Sequence, residues 1–125
     1  IMDHIMTRDE YDITKLVREL YAKRGMCDSI QKVCNLAIRK KKSEFCCKLA
    51  EILYKEDVMQ DLQKVVIIVG HPYWCEYFAK KVIGADTKAL KRAANRGYSL
   101  AKSSRSVKEI EKDIDKYIDR INLTL

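Results

Sequence analysis

The sequence has few of the residues that interrupt helices and none of the common motifs that mark an active site. It contains one proline and four glycines. Its longest apolar run, Val65–Val69, is far shorter than the roughly 20 residues that cross a bilayer. It has no glycine-rich phosphate loop, no Gly-x-Ser-x-Gly and no His-Glu-x-x-His. We therefore expect no membrane-spanning segment, no catalytic residue and no cofactor.

Histidine is scarce, and the cysteines are odd in number. The two histidines, His4 and His71, belong to no acid or nucleophile motif, although a Cys75–His71 pair is where nucleophilic chemistry would first be sought. An odd set of cysteines at mostly apolar helix positions argues against a secreted disulfide framework and favours a reducing environment. The five are Cys27, Cys34, Cys46, Cys47 and Cys75.

Zinc binding is the alternative use of these side chains. His71 and Cys75 lie four residues apart, and Cys27 and Cys34 are candidate partners, but no close Cys-x-x-Cys pair is present. We therefore expect small core cysteines and no metal site. The residues Ile1–His4 contain neither the charged nor the apolar part of a secretory signal, so the predicted location is the cytoplasm.

Apolar residues recur at spacings of three and four and predict a succession of helices. A capping box of Thr7 and Glu10 begins the first helix, about 8–24, and Asp28 or Ser29 is expected to cap the second. The third begins at Ser43. The fourth predicted helix covers 58–69, and the fifth lies between Gly70 and Gly84. The sixth covers 86–95, with Gly97 as its end. A polar linker, 99–106, is followed by a last helix that begins at a capping box of Ser106 and Glu109.

The run Val65–Val69 is β-branched and could instead be a buried strand. No second run of this kind is present to pair with it, and an isolated strand leaves its backbone groups without partners. We therefore assign it to the end of the fourth helix. The predicted fold is an all-α, compact bundle of six to seven helices in one domain, 1–125.

The segment from Gly70 to Gly84 holds the only tryptophan and the only proline. Gly70 is suited to end one helix in the left-handed conformation, and Pro72 is suited to the first turn of the next. Trp74 and Phe78 lie one turn apart, so we expect both to be buried as anchors of the core.

Residues from Val58 onward resemble a known family. The stretch Trp74-Cys-Glu-Tyr-Phe78-Ala-Lys-Lys-Val82-Ile follows an apolar helix and Gly70. It is similar to the Gly-Trp-x-x-x-Phe-x-x-x-Leu stretch in caspase-recruitment domains (CARDs) of RIG-I-like RNA helicases and their mitochondrial antiviral adaptor. The helix from Asp86, the polar joint and the last helix are similar in order and spacing to the end of the first CARD in those helicases. Tyr73 departs from the family, which has glycine before its tryptophan.

The resemblance implies a death-fold bundle with no catalytic role. Such a domain would be the N-terminal protein–protein interaction module of an RNA-sensing helicase, in antiviral defence or, for a Dicer-related helicase, in RNA interference. The parent protein would be an ATP-dependent RNA helicase. Because the sequence begins with Ile1 and ends with Leu125, we expect it to be a piece of such a longer protein.

Positive charge is concentrated in one part of the chain. The net charge is +7, and the window 80–105 carries all of it, with eight basic residues against Asp86 alone. Two clusters are candidate binding sites. They are Lys88, Lys91, Arg92 and Arg96 on the sixth predicted helix, and Arg39, Lys40, Lys41 and Lys42 at the end of the second.

Two functions compete for these cations. CARD-type modules associate when a basic patch on one copy meets an acidic patch on the next, and we expect a partner that is another CARD-like or helical domain, including a second copy. The candidate acids are Asp9, Glu10 and Asp12 on the first helix and Glu109, Glu111 and Asp113 on the last. The alternative is RNA bound along the basic surface, although Tyr98 is the sole aromatic residue between Val82 and Lys116.

Overall fold

The computed structural model describes the backbone of residues 5–102 and the side chains of residues 5–98. These residues form six helices and no strand, which confirms the predicted all-α bundle. The predicted last helix, its Ser106–Glu109 capping box and its acids lie outside the described residues. The six helices are α1 (Arg8–Arg24), α2 (Asp28–Lys40), α3 (Ser43–Ile52), α4 (Val58–Val69), α5 (Pro72–Lys81) and α6 (Thr87–Lys102).

Local capping signals place most helix ends where the sequence predicts them. The Thr7 hydroxyl accepts from the Glu10 amide at 3.2 Å, and the Glu10 carboxylate accepts from the Thr7 amide at 3.2 Å, so the capping box of α1 is present. Gly70 ends α4 in the left-handed conformation, and Pro72 follows in the first turn of α5.

Three predicted helix ends are wrong, of which Gly97 in α6 is described below. Neither Asp28 nor Ser29 caps α2, because the cap position is Cys27, whose side chain makes no capping hydrogen bond. The helix α5 ends at Lys81, and Gly84 lies in the turn beyond it with a φ of 82°. The apolar run Val65–Val69 is confirmed as the end of α4.

The helix α3 lies at the centre of the bundle. It packs against α1, α2, α4 and α5, and it is buried almost all round. The core around it is formed by large side chains with no exposed surface, including Phe45, Leu49, Leu62, Phe78 and Leu90. None of the described helices combines the length with the apolar character that a bilayer crossing requires.

Trp74 is not the buried anchor that its position predicts. Phe78 and Cys75 are fully buried, whereas Trp74 is only partly buried against the core. Its ring contacts the edge-on ring of Tyr73, with 4.6 Å between centroids, and that of Tyr77 at 5.4 Å. The buried side of α5 is therefore carried by Phe78, with Trp74 at its margin.

Gly97 lies inside α6 and does not end it. The helix continues to Lys102, so the predicted linker from Ser99 is helical in its first four residues. A Cβ atom at position 97 would lie 2.4 Å from Cγ of Pro72 and 2.7 Å from the carbonyl oxygen of Gly70. The glycine is needed because α6 crosses directly over the turn between α4 and α5.

We predict that Gly97→Ala destabilises the protein by about 1–3 kcal/mol, because the new methyl group overlaps the Pro72 ring and backbone. In a helix without this contact the same change would stabilise by about 1 kcal/mol, so the sign is diagnostic. The measurement is urea unfolding followed by circular dichroism. Asn95→Ala, at an exposed position of the same helix, is the control and should be neutral or slightly stabilising. A stabilising Gly97→Ala would contradict the close crossing.

We predict that Phe78→Ala costs about 3–5 kcal/mol of unfolding free energy, as expected for a large aromatic side chain in the core. Trp74→Ala should cost less, because that side chain is only partly buried in the wild-type chain. Urea unfolding of both variants checks the order, and acrylamide quenching of the single tryptophan in the wild-type chain reports its exposure independently. Equal losses for the two variants, with an unquenchable tryptophan, would contradict this order.

Candidate interaction surface on helix α6

The charged residues on the exposed side of α6 are all basic over the residues whose side chains are described. Lys88, Lys91, Arg92 and Arg96 are all exposed, and the helix contains no aspartate or glutamate. None of the four forms an ion pair or hydrogen bond with another described residue. We call these four residues the basic face. The structure thus brings together the first cluster that the sequence predicts.

The position of the basic face follows from how α6 begins and what it buries. The Asp86 carboxylate accepts from the Ala89 amide at 3.2 Å, which confirms it as a cap. The Asp86 amide in turn donates to Oε1 of Gln63 on α4 at 2.7 Å. Leu90, Ala93 and Ala94 are buried on the opposite side of the helix, so the four cations point to solvent.

Clustering these cations on one helix costs stability. Lys88 and Arg92, and Arg92 and Arg96, are like-charged pairs four residues apart, each of which destabilises a helix by about 0.2–0.5 kcal/mol. Lys88 also lies in the first turn, where the helix dipole disfavours a cation. No acid on α6 offsets these terms.

The second predicted basic cluster is not a continuous exposed surface. Arg39 and Lys40 are exposed, but Lys41 is buried at the end of α2 in the left-handed conformation, with a φ of 52°. Lys42 is partly buried, and its ammonium lies 3.5 Å from Oε1 of Glu10. Arg39 and Lys40 are therefore the members of this cluster that are fully exposed.

The acidic residues predicted to meet a basic patch also differ in exposure. Asp9 and Asp12 are exposed on α1, whereas Glu10 is buried in its capping box and its ion pair with Lys42. Glu109, Glu111 and Asp113 lie outside the described residues. Within the described chain, Asp9 and Asp12 are the exposed members of the predicted set.

An open groove runs beside the basic face, between α4 and α6. Its volume is about 580 Å³. It is lined by Ile67 of α4 and by Ala89, Arg92, Asn95 and Arg96 of α6. We call it the α4–α6 groove. It combines apolar side chains with two arginines of the basic face.

Three aromatic rings on α5 form a second surface feature that the sequence analysis missed. Tyr73 is 58% exposed and its ring stacks near Tyr77, with centroids 6.3 Å apart, while Trp74 lies edge-on to both. The Lys48 ammonium of α3 donates to the Tyr77 hydroxyl, which donates to Glu51 at 2.9 Å. Burial raises the pKa of the Tyr77 phenol. The spacing of Tyr73 and Tyr77, one turn apart on the solvent side of α5, was the signal available in the sequence.

Burial disfavours the charged forms of both Cys75 and His71. Burial raises the pKa of the Cys75 thiol to about 12, and its Sγ donates to the carbonyl oxygen of Val66 at 3.5 Å. Burial lowers the pKa of His71. Among the described residues, no three or more His, Cys, Asp or Glu side chains are grouped as metal ligands.

Comparisons with known proteins found no match: no family model, no curated protein and no solved structure is similar to this chain. The resemblance to CARDs therefore stays a prediction from the sequence.

We predict that the native chain has one readily accessible thiol, that of the half-buried Cys27. The other four are buried, and burial raises the pKa of each, that of Cys34 to about 11, so at pH 8 they carry almost no thiolate. Titration with a disulfide reagent at pH 8 should show one fast thiol in the native chain and five in urea. Cys27→Ser should remove the fast phase, and a second fast thiol in that variant would contradict the buried assignment.

Proposed function

We propose that this chain is a non-catalytic interaction module whose basic face binds an acidic surface of another helical protein domain. The observation that carries the proposal is the set of four exposed cations on α6, a helix that contains no aspartate or glutamate. The arrangement destabilises the isolated helix, and an acidic partner would offset that repulsion. A face that served solubility alone would not require the cations to be neighbours on one helix.

The chain itself supplies a candidate partner surface. Asp9 and Asp12 are exposed on α1, which packs against α3, whereas α6 packs against α5 and α4. The two surfaces therefore lie on helices that pack mainly against different neighbours. A basic surface on one copy that meets a different, acidic surface on the next is a heterologous contact, the kind of association that the CARD resemblance implies.

RNA binding is the second candidate, and one observation favours it. Tyr73 on α5 is exposed, and Lys80 and Lys81 at the other end of the same helix are also exposed. An exposed ring beside a basic helix is a combination that can stack a base and neutralise phosphates. The ring at the basic face itself, Tyr98, instead donates its hydroxyl to Glu76 at 3.0 Å, and we therefore rank RNA second.

Charge reversal tests the proposal. We expect the wild-type chain to associate in a concentration-dependent way in sedimentation velocity at low salt. The variant with Lys88, Lys91, Arg92 and Arg96 all replaced by Glu should not associate under the same conditions. The matched control replaces four exposed cations elsewhere, Lys15, Lys23, Arg39 and Lys40, by Glu. It has the same net charge as the first variant, so it should still associate if the location of the charge matters.

A charge swap makes the test specific. The double variant Asp9→Lys with Asp12→Lys should also fail to associate. Mixing this α1-reversed variant with the α6-reversed variant should restore association, because the acidic α6 of one variant then meets the basic α1 of the other. Anisotropy of a labelled single-stranded RNA is measured in parallel. Association that survives reversal of the basic face contradicts the proposal. If charge reversal of the basic face abolishes RNA binding and the wild-type chain does not associate, RNA binding replaces protein association as the proposed function.

A further inference from the structure

Leu16 is a large aliphatic side chain of α1 that the fold leaves in solvent. It is 62% exposed, although Val17 beside it is buried and Leu20 one turn later is partly buried. A single exposed leucine is common in soluble proteins and by itself indicates no site. The position of Leu16 is informative, however, because the exposed acids Asp9 and Asp12 precede it on the same side of α1.

These three residues share one face of the helix. Asp12 follows Asp9 by three residues, and Leu16 follows Asp9 by seven. At 3.6 residues per turn, such spacings place the three side chains within an arc of about 60°. The helix α1 therefore presents two acids and then a leucine to solvent.

The apolar wall of the α4–α6 groove lies beside the first half of α6. In the middle of α4, Gln63 accepts from the Asp86 amide, and at the end of α4 a Cβ atom on Gly70 would lie 3.9 Å from the carbonyl oxygen of Ala93. The two helices therefore run in the same direction, and Ile67 of α4 lies level with the first half of α6. Ile67 is only partly buried there.

The other wall of the groove is formed by α6. Ala89 is half-buried, and Arg92 and Arg96 follow it by three and seven residues. The groove thus has an apolar region between Ile67 and Ala89 and, further along α6, two arginines. Its volume of about 580 Å³ leaves room for a leucine side chain.

The two patterns match when α1 of one copy lies antiparallel to α6 of another. The acids precede Leu16 by four and seven residues, and the arginines follow Ala89 by three and seven. At about 1.5 Å per residue, the outer acid and the outer arginine are both about 10.5 Å away, and the inner two differ by about 1.5 Å. Glu19 and Lys23, which follow Leu16 on α1, fall beyond the start of α6 in this alignment.

We propose that Leu16 of one copy inserts into the α4–α6 groove of a second copy, between Ile67 and Ala89. The two exposed aspartates of α1 then face the two arginines of the groove. The inference rests on the proposed function and adds the partner, a second copy of this chain, and an apolar contact at the centre of a charged interface. Since the contact joins two different surfaces, it is head to tail, and a pair of copies still has one free groove.

The variant Leu16→Ala tests the insertion in the full chain. Because Leu16 is exposed in a single copy, the variant should keep the wild-type unfolding free energy. We expect its dissociation constant for self-association to rise about 10-fold or more, because most of the apolar surface that the leucine buries is lost. Sedimentation velocity over a concentration series at low salt measures the constant. The control, Tyr73→Ala, removes an exposed apolar side chain of α5 and should leave association unchanged.

A groove variant supplies the reciprocal test. Ala89→Leu fills the groove and should also weaken association, while its α1 surface stays intact. Mixed with Leu16→Ala, whose groove is intact, it should form a one-to-one complex at concentrations where neither variant associates alone, because one wild-type contact is then available between them. A mixture that does not associate, with both variants folded by circular dichroism, would overturn the proposal.

The outcomes separate this inference from the proposed function. If charge reversal of the basic face abolishes association but Leu16→Ala has no more effect than Tyr73→Ala, the inference is wrong and the proposed function stands. A wild-type chain that remains monomeric at every concentration would overturn both.

Discussion

The crossing of α6 over the turn between α4 and α5 is the constraint on which the rest of the surface depends. Position 97 tolerates no Cβ, because Pro72 and the Gly70 carbonyl occupy that space. That contact and the hydrogen bond from the Asp86 amide to Gln63 at the start of the helix together hold α6 in its orientation. The basic face and the α4–α6 groove are both consequences of that orientation.

Helix packing also determines which charged side chains are exposed to solvent. At the junction of α1 and α3, Glu10 and Lys42 pair with each other, and Glu44 accepts from the Met6 amide at 3.1 Å and from the Tyr11 hydroxyl. These carboxylates and this ammonium fix the packing of α1 on α3. The basic run 39–42 is thereby divided, whereas the cations of α6 remain together.

The sequence predicts what depends on neighbours along the chain. Thr7 with Glu10, Gly70, Pro72 and Asp86 mark helix ends by local hydrogen bonds or backbone conformation, and all four were assigned correctly. It misses two local features, the cap of α2 at Cys27 and the end of α5 at Lys81, and it fails where a distant segment decides. Gly97 has the composition of a helix end but is a contact site for the turn at Pro72.

The candidate site also combines features that residue spacing predicts with features that depend on helix packing. That Lys88, Lys91, Arg92 and Arg96 share a helix face is a matter of spacing, and the sequence is sufficient for it. The burial of Lys41, the partial exposure of Trp74 and the groove beside Ile67 depend on helix packing. No spacing rule contains that information.

The central claim is that α6 is the surface through which this chain associates. Amide chemical shifts of the isotope-labelled chain, followed through dilution at low salt, test it most directly. The account predicts that the shifts that change with concentration lie on residues 87–97 of α6 and around Asp9 and Asp12 of α1, and that added salt abolishes the changes. Changes confined to the aromatic rings of α5, or no change at any concentration, would contradict it.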